Sequence, residues 1–265
     1  MERLGWWLCA GLAKLGAHDS DSEDDAATSG DADVDPVELL FGGLRESRIA
    51  YPLVVDGWQA VGEHLFEEPQ DGVSVRYVHG SDRDRWIDVY FYPAGTLDSV
   101  QVTQAARSEA EQIRGAHVQA GYTGFDMGRV RSFCVAGSDG RTIDGNALDL
   151  AYTADGLRYS SAMTLLFDRL YFVKARYSIE ESRSSRRDAR EQLQDFAARL
   201  QSRVAIASIG DGWPGDLAGA AFAGGLEAWA GELPPDMREL RLEYPEPQAE
   251  SLHAPAARAV ELSAG

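Results

Sequence analysis

Residues 146–179 read NALDLAYTADGLRYSSAMTLLFDRLYFVKARYSI, which is three largely apolar runs separated by two polar breaks. Apolar runs of this length, bounded by turn residues, are typical of β-strands. The breaks are Ala154-Asp155-Gly156 and Asp168-Arg169, and both have the length and composition of hairpin turns. We therefore predict an antiparallel meander with strands at 146–153, 157–167 and 170–179.

Strand patterns also occur upstream of this stretch. Residues 73–77 (VSVRY) alternate apolar and polar side chains with the period of two that marks a half-buried strand. Residues 86–92 (WIDVYFY) are aromatic and β-branched, and the polar residues 80–85 (GSDRDR) separate the two segments. The two segments predict a β-hairpin, and residues 129–135 predict one more strand before the meander.

Two other stretches have the periodicity of helices. Asp98 and Gln101 have the spacing of a capping box, and apolar residues follow at helical spacing as far as Ala116. Gly121 is the expected C-cap of this helix. A second helix is predicted over residues 184–204, where the apolar residues again lie on one side.

The start of the second helix carries four arginines: Arg183, Arg186, Arg187 and Arg190. Cations are unfavourable at the positive, N-terminal end of a helix dipole. One interpretation is that the neighbouring carboxylates of residues 180, 181, 188 and 191 offset the charge. The alternative is a site for an anionic partner.

The order hairpin, helix, antiparallel strands and helix predicts an α+β domain over residues 45–204. In this fold class two main helices pack on an antiparallel β-sheet, either both on one face or one on each. A segment of this length buries enough surface to fold independently.

Three phrases within this domain carry a resemblance to a known fold family: GWQAVGEHLFEEPQDGVSVRYV (57–78), WIDVYFYPAG (86–95) and LYFVKARYSI (170–179). The chain resembles the PsbP-like, or Mog-type, α/β/α sandwich, and is similar to uncharacterised exported proteins of Gram-negative bacteria. The resemblance covers about residues 45–204. It implies a non-catalytic binding or accessory module with a partner rather than a substrate, and it supplies no catalytic residue.

The formal net charge of −18 comes from 43 acidic and 25 basic residues in a chain of 265. Residues 1–44 contribute −8, residues 45–204 only −3, and residues 205–265 contribute −7. A negative field repels phosphate backbones, so we expect no binding of nucleic acid. The charge belongs mainly to the two ends, and the predicted domain is nearly neutral.

The N-terminal 17 residues have the features of a signal peptide. An apolar run from Leu4 to Ala13 follows Arg3, and Gly11-Leu12-Ala13 supplies a small-x-small step. We expect export to the periplasm or the medium, with a cytoplasmic protein that begins with a buried or amphipathic helix as the alternative. Cys9 suggests a lipoprotein, but Trp6 and the residues after it do not fit a lipobox.

Residues 18–44 contain an acidic, aromatic-poor segment that we predict to be a disordered linker. Its Asp31-x-Asp33-x-Asp35 resembles the start of a calcium loop, but Pro36 stands where such a loop needs glycine. Residues 205–265 form the other extension. There we predict an Ala/Gly-rich helix over 216–230, an edge strand over 238–244 and an acidic, mobile tail.

The sequence contains no recognised catalytic motif. It has no G-x-S-x-G, HExxH, P-loop, GxGxxG or CxxC pattern, and its five histidines are scattered. Two cysteines, Cys9 and Cys134, are too few for a thiolate metal site. No stretch has the length of a membrane span. We therefore expect no enzyme activity, no cofactor and no bound metal.

Alternation along the meander assigns the side chains to two faces. We predict that one face points into the core and carries Leu148, Leu150, Tyr152, Tyr159, Met163, Leu165, Phe167, Tyr171, Val173, Tyr177 and Ile179. The other face combines small residues with charged ones.

The second face is the candidate binding surface. If the hairpin shares it, the face carries Arg76, Asp88, Tyr90, Tyr92, Asp149, Lys174 and Arg176. Such a patch suits a small anionic or amphipathic ligand, or a protein partner. The alternative is structural: small residues admit a packed helix, and Lys174 and Arg176 pair with Asp149 and Asp88.

These observations favour a non-enzymatic, exported accessory or binding protein that acts through a protein partner or a small ligand. One alternative is an immunity-type protein that neutralises a secreted toxin, because an acidic surface suits a basic partner. The other alternative is a hydrolase without a recognisable motif.

Overall fold

The computed structural model describes residues 44–80, 82–210 and 233–244. The predicted signal peptide, the acidic linker except Leu44, the helix over 216–230 and the C-terminal tail lie outside the described residues. Among the described helices, none is long and apolar enough to cross a membrane.

The described chain forms twelve strands and two main helices. In chain order they are β1 (Leu44–Pro52), β2 (Val54–Val55), β3 (Trp58–Leu65), β4 (Val73–His79), β5 (Asp82–Pro93), α1 (Ser99–Gln119), β6 (Thr123–Met127), β7 (Arg131–Ala136), β8 (Thr142–Ala154), β9 (Leu157–Asp168), β10 (Tyr171–Glu180), α2 (Arg186–Gln201), β11 (Ala205–Gly210) and β12 (Met237–Glu243). A short 3₁₀ turn spans Pro69–Asp71.

Nine of the strands form one antiparallel sheet in the order β2-β3-β4-β5-β10-β9-β8-β6, with β7 also paired to β8. The predicted hairpin is β4–β5, and the predicted meander is β8–β9–β10. The remaining strands form a small sheet in the order β11-β1-β12. β12 confirms the strand predicted over 238–244, whereas β1, β2, β3, β6 and β11 had no prediction.

The two helices pack on opposite faces of the large sheet. On one face, which we call the α1 face, α1 buries Val102, Ala106 and Ile113 against Leu148 and Leu165 of the sheet. On the α2 face, α2 and the small sheet pack over the other side chains, and the shared core includes Val75, Tyr177, Leu193, Phe196, Ile206 and Leu242. The predicted α+β class and its antiparallel sheet are confirmed, with one helix on each face.

Local sequence signals fix the helix ends. The Asp98 side chain accepts from the backbone N–H of Gln101, while the Gln101 side chain accepts from the backbone N–H of Asp98, which completes the predicted capping box. Ser185 caps α2 by accepting from the backbone of Asp188. The last capping position of α1 is Ala120 rather than Gly121, which follows it with a positive φ of 74°.

The predicted face of β10 was wrong. Lys174 pairs with Leu165 and Arg176 pairs with Met163 across the β9–β10 hairpin, so even positions of β10 face the same way as odd positions of β9. The reason is the two-residue turn at Arg169-Leu170, which exchanges odd and even positions between the strands. Tyr171, Val173, Tyr177 and Ile179 therefore lie in the α2 core, whereas Leu148, Leu150, Met163 and Leu165 lie in the α1 core.

Candidate functional site

The structure brings six of the seven predicted site residues to one face. Arg76 pairs with Asp88 across β4–β5, and Asp88 pairs with Arg176 across β5–β10. In the next row of the same face, Tyr90 pairs with Lys174. Tyr92 follows one row further on, where it pairs with Phe172.

Asp149 lies on the opposite face, and its predicted place in the site was wrong. It pairs with Ala162, an α2-face residue, because the β8–β9 register puts odd positions of β8 there. Its carboxylate accepts from Arg186 at 2.7 Å and from Arg190 at 2.5 Å. Asp149 therefore anchors the start of α2 to the sheet.

The arginines at the start of α2 all have internal partners, which favours the first of the two interpretations given above. Arg186 also pairs with Asp126, Arg187 pairs with Glu191 four residues on, and Arg183 pairs with Asp82. These carboxylates offset the charges at the helix N-terminus.

Lys174 belongs to a buried polar network under α1. Its Nζ donates to Glu109 Oε2 at 2.9 Å, and the Tyr92 hydroxyl donates to Glu109 Oε1 at 2.7 Å. Nζ also lies 5.1 Å from the ring centre of Tyr90 and 5.4 Å from that of Tyr92, a favourable cation–π geometry. Lys174 and Glu109 are only 3% and 4% exposed, so the pair is a structural contact between helix and sheet rather than an accessible site.

The partner of Lys174 is therefore Glu109 and not Asp149. Glu109 was not among the predicted site residues, although its spacing from Ala106, Ala110 and Ile113 places it on the apolar side of α1. A carboxylate at such a position is a signal that the facing sheet supplies a cation.

Arg76 and Asp88 form a two-point ion pair on the α1 face. Arg76 Nε and Nη2 donate to the two carboxylate oxygens at 2.7 and 2.9 Å. Burial raises the pKa of Asp88, and Arg76, Arg176 and the indole N–H of Trp86 oppose this rise. The Arg76 guanidinium also lies 5.4 Å from the ring centre of Trp86.

Arg176 has no such partner. It is half-buried, its Nε is enclosed without a hydrogen bond, and within the described ranges no carboxylate forms an ion pair with it. Asp88, its cross-strand neighbour, already offers both oxygens to Arg76. The Arg176 guanidinium therefore lies next to a carboxylate whose two-point ion pair is with Arg76, and its own donors are available to an added anion.

His117 is a buried residue in the last turn of α1. Its Nδ1 bonds to the backbone carbonyl of Ile113 at 2.6 Å, and its ring packs 4.4 Å from that of Tyr152. Burial lowers the pKa of His117; the bond to Ile113 opposes this shift, and Arg176 adds to it. Tyr152 continues a stack of three tyrosine rings with Tyr122 on one side and Tyr159 on the other, each pair 5.3 Å apart.

A separate cavity of about 450 Å³ lies at the α2 side, near the start of that helix. Its walls include the carboxylates of Asp56, Asp188, Glu191 and Asp195, with His79 beside them. Across the described part of the chain, no three His, Cys, Asp or Glu side chains are arranged to hold a metal ion.

No protein-family model matches the chain, and no curated protein matches it. Solved structures with a similar arrangement include LpqN of Mycobacterium tuberculosis, a protein involved in cell envelope biogenesis; it is 13% identical with a TM-score of 0.38, over 60% of this chain and 83% of LpqN. The PsbP protein of the cyanobacterium Synechocystis sp. PCC 6803 is 11% identical with a TM-score of 0.39, over 68% of this chain and 98% of that one.

A protein of unknown function from Pseudomonas aeruginosa, PA94, is 13% identical with a TM-score of 0.27, over 54% of this chain and 85% of that one. PsbP, whose fold the sequence resembles, is thus among the matched structures. These likenesses concern the fold alone.

Proposed function

We propose that this chain is an exported, non-catalytic binding protein whose α1 face holds the anionic group of a ligand at Arg176. The observation that carries the proposal is the half-buried guanidinium of Arg176, whose Nε has no hydrogen bond and which, among the described residues, forms no ion pair. Partial removal of a cation from water is costly unless a partner compensates it. A carboxylate, sulfate or phosphate group matches the fork of donors that arginine presents.

The groups around Arg176 support binding rather than catalysis. Arg76 occupies both oxygens of Asp88, and rings enclose His117 while its Nδ1 bonds to the backbone. Neither group is poised to pass a proton to a bound molecule. The proposal of export rests on the apolar run at residues 4–13.

The test is an NMR titration of the full chain with sodium sulfate, whose charge is constant near neutral pH. We expect saturable shifts of the backbone amides around Arg176. Arg176→Met should abolish them and, because it removes a half-buried charge that forms no ion pair among the described residues, should raise the free energy of unfolding by about 1 kcal/mol. Arg129→Met, a change at an exposed arginine, is the matched control and should alter neither quantity.

Sulfate binding that survives in Arg176→Met would contradict the proposal. So would a loss of stability in that variant, because it would give Arg176 a structural role like that of Lys174.

A second candidate, binding of a basic protein partner, is supported by the acidic cavity beside α2. Titration with a short oligo-arginine peptide tests it. Shifts at Asp188 and Asp195 that disappear in the Asp188→Asn, Asp195→Asn double variant would favour this candidate, and their absence would exclude this cavity as the binding site.

A further inference from the structure

Trp86 is an exposed aromatic side chain beside the proposed anion site. It is 38% exposed on β5, a strand whose residues from Ile87 to Pro93 are all buried. It lies two residues before Asp88, and side chains two apart on a strand share a face. The α1 face therefore presents a partly exposed aromatic side chain next to its charged residues.

The indole is held in place by the charged pair at its side. Arg76 lies 5.4 Å from the ring centre, and the indole N–H favours the ionised form of Asp88. Both of these neighbours are themselves fixed by their two-point ion pair. A preformed apolar surface loses little conformational freedom when a ligand covers it, which favours binding.

Trp86 and Arg176 are within reach of one molecule. Arg176 lies directly opposite Asp88 across β5–β10, so Trp86 is its diagonal neighbour on the same face. Diagonal positions are about 7–8 Å apart, a distance that aromatic and long side chains span. A ligand with a charged end and a short apolar body would contact both side chains.

We infer that the site takes a small amphipathic carboxylate, with its charged group on Arg176 and its apolar part on the exposed indole of Trp86. This inference rests on the proposed function, because it assumes anion binding at Arg176. It adds the ligand class and makes Trp86 the residue that determines specificity.

Three probes separate the contribution of the charged group from that of the apolar part in NMR titrations of the full chain at pH 7.5. They are acetate, hexanoate and hexanol. Hexanoate should bind about tenfold more tightly than acetate, as expected if about two of its additional methylene groups leave water. Hexanol lacks the charge and should bind more weakly than hexanoate. The indole N–H signal of Trp86 should shift with hexanoate and remain nearly unchanged with acetate.

Variants test whether the preference for hexanoate over acetate depends on Trp86. Trp86→Ala should reduce hexanoate affinity to that of acetate, whereas Trp86→Phe, which keeps an apolar ring, should retain most of the preference. Leu157→Ala, at an exposed leucine that begins β9, is the matched control and should retain it fully. If Trp86→Ala does not fold, Trp86→Phe and the indole signal of the unmodified chain decide the question.

Equal affinities for acetate and hexanoate, both lost in Arg176→Met, would overturn this inference and leave the proposed function standing. Hexanol binding as tight as hexanoate would overturn both, because the charge would then contribute nothing. A preference for hexanoate that persists in Trp86→Ala would overturn the assignment to Trp86.

Discussion

Lys174 and Glu109 are a buried pair of opposite charges, each of which compensates the desolvation of the other. The two side chains meet at 2.9 Å, and Tyr92 satisfies the second oxygen of Glu109. A buried pair of this kind adds little to folding stability compared with an apolar pair of the same shape. Removal of one member, however, leaves a buried charge without a partner.

Glu109→Ala should therefore lower the free energy of unfolding by about 3–5 kcal/mol, the usual cost of breaking a buried ion pair. Urea denaturation measures the change. Glu111→Ala is the control, because Glu111 is on the same helix and its pair with Arg114 is exposed; it should change stability by less than about 1 kcal/mol. Equal effects of the two substitutions would show that the Lys174 pair is not buried in solution.

At the scale of a single element, Gly72 lies where the backbone before β4 passes close to the backbone of β5, and this constrains the β4–β5 hairpin. It precedes β4 with a φ of 67°, and a Cβ atom at this position would overlap the backbone oxygen of Phe91. Gly156, in the β8–β9 turn, has a φ of 78° but open space around the same position. A comparison of the two glycines therefore separates the cost of a side chain in the left-handed backbone conformation from the cost of steric overlap.

Gly156→Ala should cost about 1–2 kcal/mol, the penalty of placing a side chain in the left-handed region. Gly72→Ala should cost at least about 1 kcal/mol more, because it adds the overlap with β5. Thermal and urea unfolding of both variants give the comparison. Similar losses would mean that β5 moves aside to accommodate the methyl group.

The strands also show that their positions could be predicted from the sequence, whereas the faces of β10 could not. Alternation identified β4, and runs of apolar residues identified β5, β8, β9 and β10, because each strand has a clear turn on at least one side. The faces of β10 could not be assigned in the same way, because they depend on how many residues the turn at Arg169-Leu170 leaves unpaired. A difference of one residue in that number exchanges the two faces of the strand.

At the scale of the whole molecule, the large sheet separates two apolar cores. Ile113 belongs to the core under α1, and Leu193 belongs to the core under α2. Changes in distant residues that share no partner contribute independently to stability.

Ile113→Val should cost about 0.5–1.5 kcal/mol and Leu193→Ala about 2–5 kcal/mol. The double variant should lose the sum of the two within about 0.5 kcal/mol. Urea denaturation of the two single variants and the double variant provides the test. A larger deviation would show that the sheet transmits strain from one core to the other.

The sequence was sufficient for the fold class, both helices and most of the large sheet, since these depend on local periodicity and turns. It was insufficient for the small sheet, because β1 finds its partners β11 and β12 more than 150 residues later in the chain, as the Ser47–Ser208 hydrogen bond shows. At the site, alternation correctly grouped Arg76, Asp88 and Arg176. It could not reveal that Asp88 forms its two-point ion pair with Arg76 rather than with Arg176, since that depends on side-chain geometry.

The alternation of β10 has a consequence for how this protein can evolve. Val173, Ala175 and Tyr177 maintain the α2 core, while Phe172, Lys174 and Arg176 serve the other face. Phe172 and Lys174 are themselves buried under α1, so among these positions substitution at Arg176 is the one that leaves both cores intact. An insertion of one codon within the strand would exchange these two sets of side chains at once. We expect homologous genes to vary here by substitution and almost never by a change in length.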